Sequence, residues 1–146
     1  MSDALVLEHS DGEIFDLGHV TMRMLARARQ TEGTFAIAEF SGTSEGPWTI
    51  PHIHEATHET FYILEGTFTF RLGNEDIETT AGAYIRIPLH LPHFMAAHPG
   101  GGRFLTTWSP GGLEEMFVKV SELSPESLRD PSVRAEMART FDSIPV

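Results

Sequence analysis

No cysteine occurs in the chain. That absence removes disulfides, thiol nucleophiles and thiolate metal sites together, so any metal ion must be held by nitrogen and oxygen. Basic side chains are scarce too: 10 Lys and Arg stand against 21 Asp and Glu, a formal net charge of −11. Nucleic acid and anionic membrane surfaces are therefore not expected partners, because both require a basic footprint. No apolar run is long enough to span a bilayer. The opening "MSDALVLEHSDGE" has no basic segment leading into an apolar one, so no signal peptide is expected and the expected location is cytoplasmic.

What is present is ordinary for a globular protein: 146 residues, 40% hydrophobic and 21% charged. One domain over residues 1–146, with a real core, is the simplest reading. Alternation of apolar and polar residues dominates the middle of the chain. Residues 20–26, 34–40, 60–66, 67–72, 84–88 and 103–109 all read as strands rich in aromatic and branched side chains. Their separators are turn-formers: "TEG", "SGTSEGP", the single Gly66, "GNED", "TAGA" and "PGGG". Short strands between turn signals give an all-β fold, a sandwich or barrel over about residues 15–112.

Residues 113–141 change character and are expected to form two short helices packed outside the β-domain. The first sets Leu113, Met116, Phe117 and Val120 on one face, with acids in its first turn. The second starts at Ser124 and Pro125 and carries Leu128, Val133, Met137 and Phe141.

Six of the eight histidines fall between residues 52 and 98. Residues two apart on a strand share a face, so His52 and His54 point the same way. Glu59 opens the next strand, and its same-face neighbours Phe61 and Ile63 are apolar. An inward carboxylate there is costly unless it is paired or bound to a metal. His93 arrives from a separate hairpin and completes a set of three histidines and one glutamate that would leave one or two positions of an octahedral ion open. His58 should face outward, and His90 should sit in a loop at the rim. Phe61, Phe68, Phe70, Phe94, Phe104 and Trp108 are expected in the core or lining an apolar pocket.

The spacing resembles the cupins. Their first motif, Gly-x5-His-x-His-x3–4-Glu-x6-Gly, is matched at every interval by Gly46, His52, His54, Glu59 and Gly66. The second, Gly-x5-Pro-x-Gly-x2-His-x3-Asn, is matched by Gly82, Pro88 and His93, with His90 in place of the glycine and Ala97 in place of the asparagine. "PGGLEEMF" after the last strand resembles single-domain cupins related to quercetin 2,3-dioxygenase. The resemblance implies a double-stranded β-helix, or jelly-roll barrel, with short C-terminal helices, and a homodimer. It implies His52, His54, Glu59 and His93 as ligands of one divalent ion per chain, with Glu59 also a candidate catalytic base. Ligand type alone does not choose among Fe, Mn, Ni, Co and Zn. The implied activity is dioxygenation, with O2, of a small aromatic, flavonol-like or polyketide-like enol. Two alternatives stand beside it: a redox-inert polyketide cyclase or isomerase, and a non-catalytic binding or sensor module.

Overall fold

In the computed structural model, which describes residues 3–146, the alternating segments form antiparallel strands that curl into a cupin β-barrel. Its spine is a pair of long strands, β6 (His58–Leu72) and β9 (His93–Ser109). They run antiparallel from His58 opposite Ser109 to Leu72 opposite His93. On the free edge of β6 lie β7 (Glu75–Thr79) and β8 (Tyr84–Ile87). The free edge of β9 takes β3 (Ala36–Gly42), β4 (Gly46–Pro47) and β5 (His52–Ile53). Outside β3 come β2 (Thr21–Ala26) and then β1 (Glu13–Asp16).

Two stretches expected as strand breaks are bends inside continuous strands. Gly66 has φ 83° and Gly101 φ 67°, conformations that glycine enters without steric cost. A Cβ on Gly66 would lie 2.2 Å from the Gly101 carbonyl oxygen, and one on Gly101 would lie 2.1 Å from that of Gly42. Three backbones thus pass at a distance that only glycine permits. Register shifts in β6 beside Gly66 accompany the bend, so the ladder turns a corner without ending.

Along β6 the inward side chains are Glu59, Phe61, Ile63, Phe68 and Phe70; along β9 they are His93, Met95, Ala97, Phe104, Thr106 and Trp108. Phe104 is the hub of the core. Its ring stacks on Phe40 at 5.4 Å and meets Phe61 and Phe68 edge-on, both also at 5.4 Å. Such aromatic pairs contribute about 0.5–1.5 kcal/mol each beyond the area they bury.

The C-terminal segment departs from expectation in two ways. Three helices form where two were expected: α1 (Glu114–Glu122), α2 (Pro125–Arg129) and α3 (Pro131–Phe141). The break falls at Asp130, extended at φ −69° and ψ 119°, because the following Pro131 disfavours a helical residue before it. The Asp130 side chain then accepts from the Ser132 N–H and caps α3. Nor does α1 merely decorate the outside. The Phe117 ring lies 5.2 Å from Phe40 and 5.7 Å from Trp108, plugging one end of the barrel. After α3 the chain returns as β10 (Ile144–Pro145), which pairs with β5. Among the described residues no helix is long and apolar enough to cross a membrane.

Candidate metal centre

His52, His54, Glu59 and His93 come together, all four buried, with one donor atom from each within 4.8 Å of the others. Three separate backbone segments bring them there. His52 sits on β5 directly opposite His93 on β9, and their rings are 4.3 Å apart. His54 follows β5 in the turn toward β6, its ring 4.9 Å from that of His52 and 5.0 Å from that of His93. Glu59 enters from β6 at the position paired with Trp108.

Each imidazole has one nitrogen already spoken for. Nδ1 of His52 donates to the Ile50 carbonyl at 2.6 Å, Nδ1 of His54 to that of Asp142 at 2.7 Å, and Nδ1 of His93 to that of Leu91 at 2.9 Å. A carbonyl can only accept, so these bonds place the proton on Nδ1 and leave Nε2 facing the centre. Nε2 of His54 and Nε2 of His93 both lie 3.2 Å from Oε1 of Glu59. Trp108 Nε1 donates to Oε2 of the same carboxylate at 2.6 Å.

The electrostatics follow from this arrangement. Burial pushes His52 down to about 4, and the neighbouring His93 adds to the effect, so His52 is neutral at physiological pH. Burial also opposes charge on His54, but its bond to Glu59 outweighs that and raises its pKa. For Glu59 burial again opposes ionisation, yet contact with the His54 and His93 Nε2 atoms, when these carry protons, holds its carboxyl far below the usual carboxylate range. The cluster thus asks for positive charge at its centre, and a proton shared between His54 and Glu59 meets that demand. A divalent ion meets it more fully, since three Nε2 lone pairs and one carboxylate are a common nitrogen–oxygen donor set. Ligands about 2.1 Å from one ion sit roughly 3–4 Å from each other, close to the spacing found. The residues fit a divalent metal.

The cluster forms part of the wall of a cavity of about 210 Å³. Most of the remaining lining is apolar, including Phe40, Phe61, Phe104, Trp108, Met116 and Phe117. Of the other residues considered from sequence, His58 faces solvent. His90 lies in the rim loop at φ 66°, with its N–H donating to the His54 carbonyl at 2.8 Å. A left-handed residue at that point accounts physically for the glycine in the related motif.

Two contributors carry no local sequence signal. Asp142, the left-handed residue ending α3, orients His54 through its carbonyl. Its carboxylate accepts the N–H groups of Glu55, Ala56 and Thr57 at 2.7, 2.9 and 2.8 Å. The C-terminus therefore clamps the turn between His54 and Glu59. Trp108, foreseen as core or pocket lining, also holds Glu59.

Barrel and donor cluster together give a cupin-type fold with a candidate metal centre, and comparison with known proteins agrees on the fold. Residues 41–110 match the Cupin domain family. The chain is similar to quercetin 2,3-dioxygenase of Bacillus subtilis (strain 168), 28% identical over 112 residues that make up 77% of this chain and 33% of that protein. It is also similar to quercetin 2,3-dioxygenase of Aspergillus japonicus, 25% identical over 95 residues, 62% of this chain and 27% of that protein. The chain thus spans about a third or less of the length of these curated relatives. In fold it resembles the crystal structure of an RmlC-like cupin from Shewanella frigidimarina NCIMB 400, with TM-score 0.61, 24% identity, and coverage of 72% of this chain and 89% of that one. Residues 41–110 thus carry the match to the Cupin domain, and the chain as a whole resembles quercetin dioxygenase-like cupins.

Proposed function

We propose that the chain is a metal-dependent cupin enzyme that dioxygenates a small aromatic or enolic substrate. His52, His54, Glu59 and His93 would hold one divalent ion. The observation that carries this reading is the convergence of three tautomer-locked imidazoles and a buried carboxylate on the wall of an aromatic-lined cavity. The likeness to two quercetin 2,3-dioxygenases supports dioxygenation over other cupin chemistries. A redox-active ion bound there supplies electron exchange with O2 and polarisation of a substrate oxygen.

The chain's own residues do the rest. The three carbonyl-anchored Nδ1 atoms hold the Nε2 atoms in place before anything binds, which lowers the cost of ordering them. Phe40, Phe61, Phe104 and Phe117 line the cavity and would keep water from a substrate bound there. Glu59 is assigned the part of an anionic ligand. Trp108 Nε1–H, donating to its second oxygen, would hold the carboxylate in that position. A cavity of ~150 Å³ accommodates benzene, so the 210 Å³ here takes one ring or two fused rings. A three-ring flavonol would have to extend past Ile50, an exposed lining residue where the cavity meets solvent.

The test is anaerobic reconstitution with Fe(II), Mn(II), Ni(II), Co(II) and Zn(II), followed by O2-uptake measurements with catechol, dihydroxynaphthalene and flavonol substrates. Uptake with about one redox-active ion per chain supports the dioxygenase. Bound metal and substrate conversion without O2 uptake assign a Lewis-acid cyclase or isomerase instead. Tight ligand binding with no conversion assigns a binding module, and failure to bind any of the five ions overturns the metal site itself.

A further inference from the structure

Thr106 lies on β9 opposite Phe61 and Ala38, two residues before Trp108, and lines the cavity. Its residue is 1% exposed. Among the described residues its Oγ1 is the only buried side-chain nitrogen or oxygen with no hydrogen-bond partner. The contrast with other polar groups nearby is direct. Buried Thr79 donates its hydroxyl to the Phe68 carbonyl at 2.9 Å. Thr49, also on the cavity wall, accepts the Met95 N–H at 3.2 Å. The Trp108 N–H is taken by Glu59.

A buried hydroxyl with no partner is destabilising, and valine would fill the same space without that cost. Only Thr106 puts such a group into the apolar part of the wall, among Phe40, Phe61 and Phe104. Side chains two apart on a strand are separated by about 6–7 Å, so its hydroxyl lies roughly one aromatic ring's width along the wall from the Trp108 side chain that holds Glu59.

We propose that the Thr106 hydroxyl is a specificity group that hydrogen-bonds a second oxygen of the ligand, one ring away from the oxygens presented to the imidazoles. The inference rests on reading this cavity as the substrate site and narrows the substrate class. The ligand is a one- or two-ring aromatic with oxygens at both ends, not an aromatic oxygenated along one edge alone.

The experiment is calorimetric titration of the Zn(II)-loaded wild type, Thr106→Val and Thr106→Ser proteins. Catechol and 2,3-dihydroxynaphthalene carry oxygens on one edge; hydroxyquinol and 2,3,6-trihydroxynaphthalene carry a further oxygen on the far side. Thr106→Val is expected to weaken the two far-oxygen ligands about three- to tenfold, the worth of one net hydrogen bond, and to leave the one-edge ligands unchanged. Thr106→Ser restores the difference. The ligand-free Thr106→Val protein is expected to melt no lower than wild type, since it loses no internal bond.

Equal affinities across the three proteins overturn the proposal. So does a lower melting temperature with all four ligands weakened alike, which would give the hydroxyl a purely structural role. Binding of none of the four compounds to the wild type also overturns it. Zinc keeps the readout independent of O2 chemistry. Selectivity through Thr106 without O2 uptake by the iron or manganese forms would sink the dioxygenase reading and leave this one standing. O2 uptake with an unchanged KM in Thr106→Val would do the reverse.

Discussion

Two glutamates are buried among the described residues, and they are buried for different reasons. Glu114, at the start of α1, is fully enclosed. Its two carboxylate oxygens accept the backbone N–H groups of Ala28 and Gly112, each at 2.6 Å. Those donors keep their protons under all ordinary conditions, so the acid can only tie α1 to the short turn Ala28–Gln30 that follows β2. Glu59 is enclosed almost as well, but two of its three partners are imidazoles, groups able to give up a proton and offer a lone pair to a metal. Burial alone does not mark a functional carboxylate. What marks one is a set of partners that can exchange a proton for a cation.

The comparison breaks most visibly in metal content. His54→Ala and Glu59→Ala are each expected to reduce bound metal from about one ion per chain to none, an affinity loss of at least ~100-fold, since removing even an outer partner of a ligand costs about 10–100-fold. Elemental analysis after gel filtration reads this directly. Glu114→Gln should do the opposite. It replaces an acceptor oxygen with an NH2 group facing a backbone N–H, and a stability loss of about 2–3 kcal/mol in urea unfolding is expected, with metal stoichiometry unchanged. Loss of metal from that variant would erase the distinction between the two acids.

Asp142 sharpens the contrast, because it stabilises and positions at once. Asp142→Asn weakens the clamp on the turn that carries His54, and a drop in metal affinity of about tenfold is expected by competition titration. Burial opposes its ionisation, but the N–H groups of Glu55, Ala56 and Thr57 outweigh this and hold its carboxyl below the usual aspartate range. The sign follows from linkage: stability from these bonds is present above the unfolded value of about 3.9 and is lost as pH falls through the lower folded value. Acid unfolding of Asp142→Asn should accordingly show a shallower pH dependence below about pH 4. The smallest effect concerns the rim. His90→Gly relieves a non-glycine residue at φ 66° and is expected to raise stability by up to about 1 kcal/mol, with metal content unaltered.

How far the sequence discloses this molecule depends on how local each feature is. His52, His54 and Glu59 lie within one short segment whose spacing is visible by eye, and His93 is recognisable from its own motif. The long inward faces of β6 and β9 are equally legible from alternation. β7 is not, because "EDIET" is exposed almost throughout and has no apolar face to reveal it. Gly66 and Gly101 read as strand ends because glycine marks breaks and bends alike; only the close approach of three backbones separates the two cases. The split between α2 and α3 was readable from Asp130 and Pro131, a cap and a helix start, but the apolar spacing running through it suggested one helix. The supports of the site have no local signature at all. The Asp142–His54 and Trp108–Glu59 bonds join residues 88 and 49 positions apart.

The central claim is that three imidazoles and one carboxylate bind a single ion. X-ray absorption spectroscopy of the metal-reconstituted protein tests it most directly. The account predicts about one ion per chain with three imidazole ligands and further oxygen scatterers, falling to two imidazoles in His93→Ala if that variant retains any metal. An ion bound through fewer than three imidazoles in the wild type, or a spectrum unchanged by His93→Ala, would contradict it.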